Sequence, residues 1–304
     1  MDTENNDQTL KLEKTIRNIH TGRINFVDSF PSGNLISVSD DFSINIYDQN
    51  FNIIQKISEA HNHGITFVDI KDENNFVTCS GDQNIKTWKK EGNKFIENII
   101  ILKAHNEKIF KVKYFKGDNL ISCSEDGTIK FWEKIKSKYQ NVISLKWNMK
   151  IYSFLYLEDK EMFIVGGESG TILYNIIYFT IIQTFFETFC GSWNSLIRID
   201  NDRIFVQSRF HSCLISVISI KEKSIFLYFY NEFQFMGMGL IKERNIFVVG
   251  GMEKIIKVYR NNDYYCIQTI NDAHDDYIVG FTVLKNKLIL SYSQDRKIKV
   301  WSIN

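Results

Sequence analysis

The groups in this 304-residue chain that could do chemistry are six histidines, five cysteines and 36 acidic side chains. Histidine with cysteine or carboxylate can hold a metal, a pair of carboxylates can act as acid and base, and a thiolate can attack a substrate. Their spacing argues against all three. His20, His61, His105 and His274 each stand 21 residues before an aspartate: Asp41, Asp82, Asp126 and Asp295. One histidine and one aspartate per repeat are spread around a molecule, whereas zinc ligands must converge within about 2.0 to 2.3 Å of one ion. The histidines are therefore expected to be structural, the aspartates to serve turns, His63 to be a loop residue and His211 to sit in a degenerate turn. Cys79 and Cys123 share one repeat position, three before the aspartate, where packing is the expected role. No C-x-x-C, G-x-S-x-G, H-E-x-x-H or phosphate-cradling glycine loop occurs. No metal, cofactor, small-molecule substrate or catalytic residue is expected.

The elements that must position these groups repeat with them. SGDQNIKTW (80–88), SEDGTIKFW (124–132) and SQDRKIKVW (293–301) each place aspartate six residues before tryptophan. SDDFSINIY does the same with Asp41 and Tyr47, and GMEKIIKVY with Glu253 and Tyr259. Two weaker copies put Ser169 and Asn175, then His211 and Val217, at these places. The markers fall at 41, 82, 126, 169, 211, 253 and 295, a period of 41 to 44 residues over seven units. Within a unit an apolar run such as Ile65–Ile70 is followed by a polar turn, a second run at Phe76–Thr78, the aspartate turn, and the alternating Ile85–Trp88. A fourth run, Phe95–Leu102, precedes the next histidine. Such alternation specifies strands, and no segment sustains a 3.6-residue period, so almost no helix is expected.

Composition narrows the partners. The 37 basic and 36 acidic residues leave no excess for gripping a nucleic-acid backbone, although a local patch stays possible. The polar, acidic start MDTENNDQTL does not read as a secretion signal, and unpaired cysteines suit a reducing compartment. An intracellular location is expected, cytoplasmic before nuclear. The uncharged stretch from Ser169 to Phe186 contains Asn175, Gln183 and several threonines. Two buried strands are expected there, not a membrane span.

These repeats resemble the WD-repeat (WD40) family, with AH in place of GH and WK, WE or WS in place of WD. The resemblance runs from about Thr9 to Asn304. It implies an all-β, seven-bladed β-propeller of four-stranded antiparallel blades, as a single domain over 9–304 behind a disordered polar terminus at 1–8. It also implies a buried hydrogen-bond network of aspartate, histidine, strand hydroxyl and tryptophan in each regular blade. The sets would be His20, Ser37 and Asp41; His61, Thr78, Asp82 and Trp88; His105, Ser122, Asp126 and Trp132; and His274, Ser291, Asp295 and Trp301. In the weaker repeats the hydroxyl place holds Val165, Gln207 and Val249, so the set is present or absent together. The last repeat lacks a fourth strand, and Leu10–Ile16, apolar at alternate positions, is expected to supply it and close the ring.

In that family the narrow face most often binds peptides, through the residue three after the histidine and the residue just before the aspartate. Those positions give Arg23, Lys108, Glu125, Glu168, Trp193, Phe210, Phe235, Met252 and Tyr277 as protein-binding candidates, with Gly64, Ile151, Asp40, Gly81 and Gln294 completing the two rings. The reading is a non-enzymatic scaffold or adaptor for protein partners. A ubiquitin-ligase substrate receptor is one alternative, although the third strands end in WKKE, WEKI and WSIN and not in Trp-Asp-x-Arg. A propeller enzyme with a channel-lined site is the alternative of another class.

Overall fold

Alternating apolar and polar residues can bury one face of a strand only if the sheet packs on another sheet. The computed structural model describes residues 9–178, 180–186, 188, 196–207, 214–230 and 234–304, with the backbone alone at 214 and 227–230. It forms seven four-stranded antiparallel sheets, set as blades around a ring. Blade one runs β2 (Ile24–Ser29), β3 (Leu35–Ser39), β4 (Ile44–Tyr47) and β5 (Ile53–Ile57). Blade two is β6 (Ile65–Asp72), β7 (Asn75–Ser80), β8 (Ile85–Glu91) and β9 (Lys94–Ile101). Blade three is β10 (Ile109–Phe115), β11 (Asn119–Ser124), β12 (Thr128–Ile135) and β13 (Lys138–Lys146). Blade four is β14 (Ile151–Leu157), β15 (Met162–Gly167), β16 (Gly170–Asn175) and β17 (Thr180–Phe185). Blade five is β18 (Leu196–Arg198), β19 (Arg203–Gln207), β20 (Leu214–Ser219) and β21 (Ser224–Tyr230). Blade six is β22 (Phe235–Ile241), β23 (Ile246–Gly251), β24 (Ile256–Arg260) and β25 (Cys266–Ile270).

Blade seven takes β26 (Ile278–Val283), β27 (Ile289–Ser293) and β28 (Ile298–Ile303) from the end of the chain, and β1 (Leu10–Ile16) from its start. This is the expected closure. The alternation of Leu10, Leu12 and Ile16 does not survive intact, because a bulge between Leu12 and Lys14 shifts the register. Leu10 and Ile16 are buried while Leu12 is exposed. The stretch 169–186 carries β16 and β17, and no helix among the described residues is long and apolar enough to cross a membrane.

The core lies between blades. Large side chains such as Phe76, Phe154, Phe163, Phe205 and Phe247 are fully buried, each contributing roughly 1.5–3 kcal/mol by leaving water. Phe26 packs its ring 4.1 Å from Phe67 of the next blade and edge-on to Tyr292 of the blade before. Glycine is required where two first strands approach most closely. A Cβ on Gly237 would lie 2.3 Å from the Gly280 Cα, and one on Gly280 would lie 2.3 Å from the Tyr292 hydroxyl.

Side-chain amides tie outer strands of successive blades. Gln55 accepts from the Phe95 N–H at 2.8 Å and donates to the Phe95 carbonyl at 2.8 Å. Gln268 does the same to Leu10, accepting at 2.6 Å and donating at 3.0 Å. The terminal strand is thus gripped from two sides, by the β28 ladder and by blade six. Removing residues 1–16 should cost several kcal/mol, about 2 for each buried Leu10 or Ile16 side chain and the rest for β28 ladder groups left unpaired. Gln268→Ala should cost about 1–3 kcal/mol by leaving the Leu10 amide unsatisfied. Urea denaturation of both variants checks this; unchanged midpoints would mean that the ring does not depend on its N-terminal strand.

Candidate functional site

Four blades carry a directed chain of hydrogen bonds. In blade two the Trp88 indole N–H donates to Thr78 Oγ1 at 2.9 Å. Thr78 Oγ1 lies 2.9 Å from His61 Nε2, and His61 Nδ1 lies 3.0 Å from Asp82 Oδ2. Blade three repeats this with Trp132, Ser122, His105 and Asp126 at 2.9, 2.7 and 3.1 Å. Blade seven does so with Trp301, Ser291, His274 and Asp295 at 2.9, 2.7 and 2.9 Å. In blade one His20 reaches Ser37 at 2.7 Å and Asp41 at 3.0 Å, and the Tyr47 hydroxyl, 2.8 Å from Ser37, takes the indole's place. An indole can only donate, and a hydroxyl has one proton to pass on. The order that satisfies every atom is indole to hydroxyl, hydroxyl to Nε2 of a neutral imidazole, and Nδ1–H to an ionised carboxylate.

The electrostatics agree. Burial pulls His61, His105 and His274 below the ordinary histidine range, against the upward pull of their aspartates. Burial alone would raise the carboxyls, but hydrogen bonds from the paired histidine and from backbone N–H groups outweigh it. Asp295 is held at about 2, and Asp41, Asp82 and Asp126 lie well below the carboxylate range. Each carboxylate also accepts turn amides: the N–H groups of Asn106 and Thr128 both donate to Asp126.

Serine, histidine and aspartate here have the connectivity of a nucleophilic triad. Yet Ser37, Ser122 and Ser291 are fully buried, and each Oγ is already held by Tyr47, Trp132 or Trp301. No substrate can reach them, so the chain is a fastening. Cys79 and Cys123 are also fully buried; burial pushes Cys79 to about 12 and Cys123 higher still, the reverse of an activated thiol. Cys190, Cys213 and His211 lie outside the described residues. Among the described residues, no three histidine, cysteine, aspartate or glutamate side chains gather as a metal set.

The two residues per blade expected at the narrow face lie ahead of the first strand and just before the marker. One backbone bond recurs in six blades, from the residue before the marker to a residue ahead of the first strand. Asp40 donates to Arg23, Gly81 to Gly64, Glu125 to Lys108, Glu168 to Lys150, Met252 to Gln234, and Gln294 to Tyr277, all at 2.9–3.1 Å. This corrects the sequence count in two blades. Phe235 is not a surface residue: it is 2 % exposed and belongs to the core, and the face position is Gln234. Ile151 is likewise buried, and Lys150 takes its place. The physical cause is the turn between the first two strands. Five residues separate paired Ser29 and Leu35, and three separate Phe115 and Asn119. Four separate Leu157 from Met162 and Ile241 from Ile246, where short 3₁₀ turns at Glu158–Lys160 and Lys242–Arg244 end in left-handed Glu161 and Asn245. Changing an odd turn to an even one moves the count by one.

On this face Arg23 Nε lies 3.2 Å from Asp40 and donates to Asn25 at 2.8 Å, and Asn25 donates to Asp40 at 2.7 Å. Lys150 Nζ donates to Glu125 at 2.6 Å, and its N–H donates to Glu168 at 3.2 Å. Lys108 is half-buried between these groups. Burial lowers its pKa, Asp40 and Glu125 raise it, and Arg23 lowers it. Blade two contributes only Gly64 and Gly81, whose missing side chains leave room for Asp40 and His63 to lean in. Blades six and seven add the neutral, partly exposed Met252 and Tyr277. Trp193 and Phe210 lie outside the described residues.

A family model described as "WD domain, G-beta repeat" matches residues 11–48, 52–89 and 96–133. A search of curated proteins finds no match.

A folded pKa below the unfolded one means that the unfolded chain binds more protons, so stability rises with pH. The histidine contribution is full above about 6.5 and is lost as pH falls from there; the carboxylate contribution is full above about 4 and is lost towards 2. The urea midpoint should be highest at pH 7–8, decline towards pH 5 and drop steeply below 4. A midpoint flat from pH 8 to 5 would overturn the neutral buried imidazoles. Asp126→Ala should cost about 3 kcal/mol or more at pH 7, since His105 and two turn amides lose their acceptor.

Proposed function

We propose, from three segments that match the WD40 repeat model within a seven-bladed propeller, that this chain is a non-enzymatic scaffold or adaptor that binds protein partners through its narrow face. The observation that carries this reading is the ring of face positions. In six blades the backbone there is fixed by the same bond while the side chains change freely, alternating in charge from Arg23 and Asp40 through Lys108, Glu125 and Lys150 to Glu168. A rigid frame with variable, partly exposed charges is suited to reading another protein's surface by electrostatic complementarity. The work of a substrate receptor in a ubiquitin ligase lies within this class, although WKKE, WEKI and WSIN offer no Trp-Asp-x-Arg surface.

One observation favours the enzyme reading. Asp28, on the first strand of blade one, is pushed up to about 6, by burial first, against the Ser29 N–H and Lys113, with Asp69 adding to the rise. Asp69 is nevertheless neutralised by Lys113 at 2.7 Å and accepts from the Tyr114 N–H, leaving Asp28 without a second free carboxylate. A single raised acid is thinner support for catalysis than a convergent set.

Affinity purification of the tagged protein with mass spectrometry, beside Lys150→Glu/Tyr277→Ala and a control Lys160→Glu outside the face positions, separates these readings. Loss of one defined partner set by tenfold or more in the face variant alone is the expected result. An unchanged set would move the interface elsewhere.

A further inference from the structure

Where blade seven meets blade one, a pocket of about 430 Å³ is lined by Arg17, Asn18, Thr21, Lys56, Arg296 and Lys297, with the ends of the His20 and Asp295 fastenings behind it. The side chains of Arg17, Lys56 and Arg296 are exposed and make no hydrogen bond or ion pair with any described residue. The carboxylates at hand are already committed. Asp295 accepts from His274 and from the N–H groups of Asp275 and Lys297, Asp41 accepts from the Thr21 N–H and Ser43, and Asp275 pairs with Lys297. Lys299 stands beside the pocket, its pKa lowered by burial and by Lys297 and Arg17. Five cations (Arg17, Lys56, Arg296, Lys297, Lys299) against three carboxylates (Asp41, Asp275, Asp295) leave +2 at one place, in a chain whose net charge is +1.

The repeat supplies the comparison. The equivalents of Arg296, Arg17 and Lys56 are the residue after the marker, the residue three before the next histidine, and the outer-strand partner of the residue four after the marker. At the junction of blades one and two these are Phe42, Ser58 and Ile100; between two and three, Gln83, Leu102 and Ser144; between six and seven, Lys254, Asn271 and Thr15. The same fold closes those junctions without a cluster of charge, so three unpaired cations are not needed for folding and repel one another at some cost.

We propose that this junction is a binding site for a phosphorylated side chain of a partner polypeptide. A phosphomonoester near pH 7 brings close to two negative charges and three acceptor oxygens. Two guanidinium forks and an ammonium can share these, where a single carboxylate would satisfy only one of them well. The cations gather at one pocket in a chain whose acids and bases nearly balance, whereas a grip on a nucleic-acid backbone is usually made with a basic excess. None of the pocket's lining residues is one of the face positions, and the proposal does not rest on that ring.

The test uses the full chain and the variant Arg17→Gln/Lys56→Gln/Arg296→Asn. Asparagine is chosen because residue 296 has φ +64° and tolerates the left-handed region better than glutamine. The variant should keep the wild-type circular dichroism and melting temperature in chloride. A labelled degenerate phosphoserine peptide pool should bind the wild type by fluorescence anisotropy, and the variant at least tenfold more weakly. Inorganic phosphate should compete and should raise the wild-type melting temperature above that in chloride at equal ionic strength. Lys150→Glu/Tyr277→Ala should bind the pool unchanged, which separates this site from the narrow face. No binding of the pool, equal binding of its unphosphorylated form, or equal binding by the triple variant would overturn the proposal. So would tighter binding of single-stranded RNA or of phosphoinositide vesicles, which would give the surface to another class of partner.

Discussion

The regular half of this ring depends on a carboxylate kept ionised beside a buried, neutral imidazole. Neither group is stable there alone: burial opposes the charge on the aspartate and the protonation of the histidine alike. Together, with a hydroxyl and an indole or phenol behind them, they satisfy every donor and acceptor in the chain. The histidine precedes the first strand and the aspartate lies in the turn between the second and third. One hydrogen bond from His61 to Asp82 therefore fixes where the blade begins against where it turns. The strand hydroxyl and indole carry that constraint to the third strand. The face residues Lys108 and Glu125 stand a few positions from His105 and Asp126, so their placement follows from the fastening.

Blades four and six hold their shape without it. Val165 and Val249 occupy the hydroxyl place, both fully buried, and the strand ends there in Gly166-Gly167 or Gly250-Gly251. The fastening is replaced by close backbone approach. A Cβ on Gly251 would come within 1.8 Å of the Gln234 carbonyl, and one on Gly167 within 2.6 Å of the Lys150 carbonyl. The two solutions are exclusive, since a buried histidine without its aspartate would leave an unsatisfied nitrogen.

This division explains what was legible. Where the His–Asp spacing is intact, counting from the marker lands on Arg23, Lys108 and Tyr277, whose carbonyls accept the recurring backbone bond, because the polar chain allows no slip. Where it is lost, nothing in blades four and six announces a turn of four residues, and the count lands on buried Ile151 and Phe235. The exposure of Leu12 was hidden for a similar reason: a bulge in β1 breaks an alternation that the residues alone suggest. The basic junction was illegible in a different way. Arg17, Lys56 and Arg296 are far apart in the chain, and near-equal totals of acids and bases conceal them.

A repeat fold also separates what a position must do from what it is free to do. The bond from Glu125 to Lys108 is the bond from Gly81 to Gly64 and from Met252 to Gln234, so the backbone neither requires nor rewards a particular side chain there. The same holds at the junctions, where Phe42, Gln83, Lys254 and Arg296 all occupy the left-handed turn position. Identity at such places carries little folding energy, and a charge left unpaired there is a net cost to the isolated chain. A cluster of such charges therefore points to a ligand outside the fold as the source of the compensating free energy, as the fastenings, with every atom paired, do not.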